Sequence, residues 1–487
     1  MISIRQYFVV AALILVAALV KTTTAFATND SPEAKQVDAI FADLAKPGSP
    51  GCALAVARGG KIIYEKGYGL ANLEQEVPIT PRTVFDIGST SKQFTASSIL
   101  LLEKEGKLSV NDDVRKYIPE LPDYGKKITI LNLLNHTSGI RDYLTLFELA
   151  GVYVDSVTTD EDALAIITRQ KSLNFDPGSE YLYSNSGYFL LSVIVKRVSG
   201  KSLPEFAAEN IFTPLSMAQT LYRDQHTQLV PNRALAYDAK DPGPGFVFNV
   251  SYFEQTGDGA VHTSVEDLLK WDENFYTAKV GGKAFLDELQ ETATLNNGKK
   301  IHYAKGLAVY EYRGLRAVEH GGSWGGYRAQ LLRFPDKHFS VACLCNLGNA
   351  DPEKRATGVA DIFLASDLKP KQEHPENAPT EHPKPETVPL APEVLAKYAG
   401  DYVSEELFVT YTLAVENGKL CLTKIRNGLG DGFLQATRHF ELRPVGKEKF
   451  LQEDQGINLV FSRGAQGELN GFVLGVGRSS GISFTRK

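Results

Sequence analysis

The chain has 487 residues, 43% of them hydrophobic and 23% charged, with a formal net charge of −6, which is long enough for two or three domains of roughly 100–200 residues each. With 52 Lys plus Arg against 58 Asp plus Glu there is no basic surplus to neutralise a phosphate backbone, so the composition argues against nucleic acid as a partner. Twenty-five Phe and 21 Tyr are ample material for a core, and a mainly disordered chain is excluded.

The chain opens on an apolar run, Phe8–Val20, preceded by Arg5 and followed by a polar stretch and Ala25-Phe26-Ala27. The run is short for a bilayer span, and small residues at alternate positions suit a signal peptidase, so residues 1–27 read as a cleaved secretory signal; an uncleaved anchor is the alternative. The mature chain is then periplasmic or secreted, without a stable membrane span. Export exposes the four cysteines to oxidising conditions. Cys343 and Cys345 lie two apart on one face of a predicted strand, where a mutual bridge would be strained. The expectation is buried free thiols, with a bridge from Cys52 to one of that pair as the alternative.

In chain order, Cys52–Arg58 and Lys61–Glu65 across Gly59-Gly60 predict a hairpin. Helices are predicted over Lys92–Lys104, Glu161–Arg169, Gly187–Val198 and Val265–Tyr276, the last with Ser264 and Asp267 as a cap. A second hairpin, Arg328–Phe334 with His338–Cys345, follows across Pro335-Asp336-Lys337. Hairpins at both ends with helices between them predict an α+β body: one antiparallel sheet built from both ends, beside a helical region. From Pro370 to Pro392 seven prolines stand among Lys, Glu, His and Asn, which reads as an extended linker, residues 370–392. Beyond it, Pro392–Tyr398 could form a short helix, and six runs of β-formers, Leu407–Val415, Lys419–Leu422, Phe440–Leu442, Lys449–Leu451, Leu459–Phe461 and Phe472–Val476, predict an all-β barrel over residues 393–487.

Three short patterns in the body, residues 28–369, can carry chemistry. In Ser89-Thr90-Ser91-Lys92 the serine and lysine share a face of the first helical turn, so the amine can reach the hydroxyl, and the amides of the turn can face an oxyanion. The spacing alone is weak: Ser366-Asp367-Leu368-Lys369 repeats it. Tyr183-Ser184-Asn185 occurs once, before the Gly187–Val198 helix; a phenol beside a lysine can have its pKa lowered and pass a proton, and Asn185 offers a donor and an acceptor to a substrate amide. In His320-Gly321-Gly322-Ser323 the glycines let a substrate lie against a strand edge, the Ser323 amide can be a second oxyanion donor, and a mostly neutral histidine can donate to a substrate carboxylate. His136, before Thr137-Ser138-Gly139, is weighed as structural.

The order S-x-x-K, Y-x-N, H-x-G in such a body resembles the penicillin-recognising serine hydrolases, the group of class C β-lactamases, D-Ala-D-Ala carboxypeptidases, D-aminopeptidases and related esterases. Val84–Gly88, Leu133–Gly139, Pro214–Met217 and Gly257–Ala260 add to the likeness, which covers roughly residues 35–365; the C-terminal unit resembles a lipocalin-like accessory domain. The resemblance implies that Ser89 is acylated, that Lys92 and Tyr183 handle its proton, that Asn185, His320, Gly322 and Ser323 contact substrate, and that the Ser89 and Ser323 amides form the oxyanion hole. With no clustered His, Cys and carboxylate pattern in the sequence, the hydrolysis is expected to need no metal, and no cofactor is expected. Class C enzymes carry Lys-Thr-Gly where this chain has His320-Gly321-Gly322, and the loss of a fixed cation moves the expected substrate toward small peptides, D-amino-acid amides or esters. A class C-type β-lactamase, a slowly acylating β-lactam-binding protein and a carrier whose barrel does the work are the alternatives, and homo-oligomerisation stays open.

Overall fold

The computed structural model describes residues 31–153, 155–371, 386–427, 439–452 and 456–487. The expected signal segment and residues 372–385 of the expected linker lie outside them. Six antiparallel strands form the sheet of the body: β1 (Cys52–Arg58), β2 (Lys61–Tyr68), β3 (Ala308–Tyr312), β4 (Leu315–Trp324), β5 (Tyr327–Phe334) and β6 (Phe339–Cys345), in the spatial order β3-β4-β5-β6-β1-β2. Both predicted hairpins are present, and β6 pairs with β1, so the two ends of the body meet in the middle of the sheet. The strands β3 and β4 were not anticipated; His320-Gly321-Gly322-Ser323 lies within β4.

Alternation along β1 sorts its side chains into two layers. Cys52, Leu54 and Val56 join one apolar layer with helices α1 (Pro32–Ile40) and α5 (Pro352–Phe363). Ala53, Ala55 and Ala57 face the other layer, where small side chains admit α4 (Val265–Thr277) against β1 and β6. Helices α2 (Lys92–Lys104) and α3 (Asn185–Ser199) pack on each other there. The predicted cap of α4 is present, with the Asp267 amide donating to Ser264 Oγ at 3.3 Å, and α3 ends at Gly200 in the left-handed region, φ 73°.

Cys52 and Cys345 stand opposite each other in the β1/β6 register and form a disulfide. The expectation of four free thiols is corrected to two, Cys343 and Cys421, both buried. The physical reason is register: only the pairing of two strands some 293 residues apart brings these sulfurs together.

The C-terminal unit is a closed antiparallel barrel of eight strands, Gly400–Ser404, Val409–Glu416, Lys419–Asn427, Phe440–Pro444, Lys449–Gln452, Ile457–Arg463, Leu469–Val476 and Ser479–Arg486. The first and last close it through Tyr402↔Arg486 and Val403↔Thr485, and these are the two strands the sequence reading lacked. Inside, Tyr398, Tyr402, Phe450, Phe461, Phe472 and Phe484 pack ring on ring. Among the described residues an aromatic cluster thus occupies part of the barrel interior.

Barrel and body share one apolar core. Buried Arg141 of the body ion-pairs with Glu406 of the barrel and donates to Gly481 O at 2.8 Å. Tyr411 Oη donates to Leu149 O at 2.7 Å, and Asn174 holds the turn before the last strand by donating to Arg478 O at 2.9 Å and accepting from the Ser480 amide at 2.9 Å.

Candidate active site

The segment leading to Ser89 is shaped by its own side chains. Asp86 accepts from the Gly88 amide at 2.8 Å, and Gly88, at φ 47°, turns the chain into a single 3-10 turn, Gly88–Ser91, that feeds α2. Two clamps hold this turn: Thr90 Oγ1 donates to His320 O at 3.1 Å, and Ser91 Oγ accepts from the Val261 amide at 3.1 Å. The β3/β4 ladder ends at Ala308↔Glu319, so residues 320–324 present a free edge to the turn. A Cβ on Gly322 would stand 1.9 Å from Ile87 O, and one on Gly88 would stand 2.7 Å from the Ser323 amide nitrogen. Both glycines are thus needed for contact between the Ser89 turn and the strand edge.

Lys92 is fully buried and its Nζ reaches three oxygens: Ser89 Oγ at 3.0 Å, Asn185 Oδ1 at 2.9 Å and Asp258 O at 2.6 Å. Burial destabilises the ammonium and pulls the lysine pKa well below its ordinary value, against the opposing pull of Asp258 and Asp142. Burial likewise raises the Asp258 carboxyl, which accepts from Tyr143 Oη at 3.1 Å. Asn185 opens α3; its backbone amide donates to Asp142 Oδ2 at 2.7 Å, which fixes the side chain beside Lys92.

Tyr183 lies against this network. Lys92 Nζ is 4.9 Å from its ring centroid, the His136 ring centroid is 4.1 Å away, and its buried hydroxyl has no hydrogen-bond partner among the described residues. The expected lowering of this phenol's pKa is corrected: burial raises it, and the nearby Ser89 hydroxyl and Arg478 offset that only in part. Tyr183 is a neutral phenol at neutral pH. His136 is buried at φ 58°, its Nδ1 accepts from the Ser184 amide at 3.1 Å, and burial drives its pKa far down; it supports the Tyr183 segment, as a structural residue would.

His320 is neutral too, its pKa lowered to about 4, chiefly by burial and then by Lys92. Its Nδ1 is 2.6 Å from Gly321 O, and a carbonyl only accepts, so Nδ1 carries the proton. Nε2 then accepts from Tyr303 Oη at 3.0 Å. Both nitrogens are engaged, and the imidazole has no donor left for a substrate carboxylate.

Ser89, Tyr183, Asn185, His320 and Ser323 line one cavity of about 710 Å³. A further lining residue comes from the barrel: Arg478, in the turn before the last strand, holds its guanidinium carbon 4.7 Å from the Tyr183 ring centroid. The sequence reading missed Arg478, Asp142, Tyr143 and Tyr303. Asp258 stood in a quoted stretch without a role, and nothing local in Gly477-Arg478-Ser479 marks a site. The second S-x-x-K match lies elsewhere on the body, its Asp367 paired with Lys337 at 2.6 Å.

A family model described as beta-lactamase matches residues 37–364. Penicillin-binding protein 4* of Bacillus subtilis is 27% identical over 452 residues, covering 88% of this chain and 94% of that protein. The D-aminopeptidase of Brucella anthropi is 30% identical over 303 residues, covering 61% of this chain; the chain spans about 56% of that relative's length. Among solved structures, the octameric penicillin-binding protein homologue from Pyrococcus abyssi superposes with a TM-score of 0.62 at 25% identity, covering 94% of this chain and 100% of that one.

Proposed function

The chain belongs to the β-lactamase family and is a serine hydrolase, and on that footing we propose that it is an exported enzyme that cleaves small peptides, D-amino-acid amides or esters through an acyl-enzyme on Ser89. The observation that carries the reading is the buried, proton-shedding Lys92 amine at 3.0 Å from Ser89 Oγ. A neutral amine there removes the hydroxyl proton as the oxygen attacks the substrate carbonyl. The oxyanion develops between the Ser89 and Ser323 amides at the free edge of β4. Tyr183, a neutral phenol, donates its proton to the leaving nitrogen or oxygen as the C–N or C–O bond breaks, and recovers one through Lys92. Water then attacks the ester by the reverse route and frees Ser89. Asn185 accepts from Lys92 through Oδ1 and turns its amide nitrogen to substrate, and Gly322 keeps the edge open.

Preference over a class C-type β-lactamase or a slow β-lactam binder rests on His320, a neutral imidazole with both nitrogens occupied where those enzymes carry a lysine. Export to the periplasm or medium is supported by the disulfide, a bond that persists in oxidising compartments. No helix among the described residues is long and apolar enough to cross a membrane.

The test is intact mass after exposure to a fluorophosphonate and to a slowly deacylating β-lactam, beside Ser89→Ala, with turnover of a D-amino-acid anilide and a chromogenic ester on the same samples. One adduct, lost with turnover in Ser89→Ala, is the expected result. Undiminished turnover in that variant refutes the mechanism.

A further inference from the structure

We propose that Glu416, Cys421 and His439, on the outer face of the barrel, form a binding site for a divalent cation of the zinc class, which clips neighbouring strands together away from the catalytic cavity.

The site starts from a hairpin. Asn417 and Gly418 both take positive φ, 51° and 76°, and close a two-residue turn between the strands Val409–Glu416 and Lys419–Asn427. The register that follows sets Glu416 opposite Lys419 and Ala414 opposite Cys421, and the next strand brings Glu441 opposite Cys421. Residues two apart on a strand share a face, so Glu416, Lys419, Cys421 and Glu441 lie on one side of the sheet. Leu420 and Leu422, which flank the cysteine, belong to the apolar core, so that side is the outer one. His439 immediately precedes the strand Phe440–Pro444 and completes the group.

The three side chains converge. A carboxylate oxygen of Glu416, Cys421 Sγ and a ring nitrogen of His439 lie within 4.8 Å of one another, and His439 Nε2 stands 2.6 Å from Glu416 Oε2. A tetrahedral zinc site holds sulfur, nitrogen and oxygen ligands about 3.3–3.6 Å apart, so these separations need to change by about 1 Å. The Glu416 and His439 side chains are 45% and 59% exposed and are free to make that adjustment. Cys421 is the fixed point: it is 3% exposed although it faces outward, and its sulfur is 3.8 Å from Lys419 O, a weak contact that a cation displaces.

One thiolate, one imidazole and one carboxylate, with water in the fourth position, make a zinc-type donor set, whereas calcium and magnesium take shells of oxygen. The two anionic ligands cancel the charge of the ion, and Glu441 is already paired with Lys419 Nζ at 2.7 Å. On binding, the thiol proton passes to solvent and His439 carries its proton on Nδ1, which frees Nε2 for the metal. The ladder between Lys419–Asn427 and Phe440–Pro444 has three residue pairs among the described residues, against eight in the hairpin before it, so a cation shared across this seam reinforces a short pairing. None of the three ligands lines the cavity of Ser89, so hydrolysis there does not depend on this ion.

The experiment uses the untagged, full-length mature chain stripped with a chelator, titrated with Zn2+ against a chromophoric competitor and with Co2+ by absorbance. The expected result is one Zn2+ per chain at a micromolar Kd or tighter, and a thiolate-to-cobalt charge-transfer band in the near ultraviolet. Cys421→Ser abolishes the band, while Cys343→Ala, which removes the other free thiol, keeps band and affinity. The exposed pair Glu416→Gln with His439→Gln weakens Zn2+ at least about tenfold, the least that loss of a mere outer-shell partner costs, and it decides the matter should Cys421→Ser fail to fold. A Kd weaker than micromolar, a cobalt spectrum without the thiolate band, a band that survives Cys421→Ser, or a loss below about tenfold in the double variant overturns the proposal.

Discussion

Glu406→Ala removes the one carboxylate that ties the barrel to the buried guanidinium of the body. In the intact protein Glu406 accepts from Arg141 and from the Lys171 and Ser483 amides at 3.1 and 3.2 Å, and the Arg141 and Glu406 side chains are 0% and 4% exposed. Taking the carboxylate away leaves the arginine charge buried with only neutral partners, Gln170 Oε1, Ser172 Oγ and Gly481 O. An orphaned buried charge of this kind costs about 3–5 kcal/mol, equal to a factor of roughly 10² to 4 × 10³ in the folding equilibrium at about 1.4 kcal/mol per decade. Trp271 and Trp324 both lie in the body, so urea unfolding followed by tryptophan fluorescence reads the body's share of the loss, and far-UV circular dichroism reads barrel and body together. Replacing both partners by apolar residues, Arg141→Met with Glu406→Leu, removes the orphan charge and recovers about 2 kcal/mol or more of the single variant's loss. A loss below about 1 kcal/mol in Glu406→Ala, or a double variant no more stable than the single one, refutes the reasoning.

Acylation should rise with pH as the buried Lys92 loses its proton, and Arg478→Gln, by removing a cation whose field favours the neutral amine, should move that rising limb to higher pH; a limb that stays in place or moves to lower pH contradicts the assignment. Gly322→Ala drives a methyl into Ile87 O and should slow fluorophosphonate labelling of Ser89 at least tenfold, whereas Gly321→Ala meets only the flexible end of Gln330 at 3.0 Å and should cost less; labelling rates of the two variants decide. Unreduced, denatured mature protein should titrate two free thiols, and four after reduction, with removal of the Cys52–Cys345 bridge costing roughly 2–5 kcal/mol in urea unfolding. Buried His262, its pKa lowered to about 3 by burial, binds its proton in the unfolded chain first. Its stabilising share is present above pH 6.5 and falls by about 2 kcal/mol at pH 5, so His262→Gln should lose less stability between pH 7 and pH 5 than wild type does.

Local chemistry explains why part of the site was legible beforehand. Ser89 and Lys92 meet because three residues separate them in a helical turn, and the helix starts, glycine turns and alternating strands obey rules that act over fewer than ten residues. Their appearance in the sequence is the appearance of the structure itself. The family resemblance added the pairing of Tyr183-Ser184-Asn185 with that turn, and the fold bears out the α+β body with a β-barrel behind it.

What the sequence could not carry depends on contacts between distant segments. The Cys52–Cys345 bond follows from one strand register. The last barrel strand opens on Ser479-Ser480-Gly481, which has no apolar alternation, and exists because closure with Gly400–Ser404 satisfies both edges. The titration of Tyr183 is decided by burial, not by the neighbouring amine, and burial is a property of the packed molecule. The neutrality of His320 was legible in the residue type, but its donor is spent locally on Gly321 O and its acceptor is filled only because Tyr303 arrives from an adjacent segment. Arg478 stands 389 residues beyond Ser89 in a turn without a motif; only the docking of barrel on body, through Arg141, Glu406 and Asn174, places its charge over Tyr183.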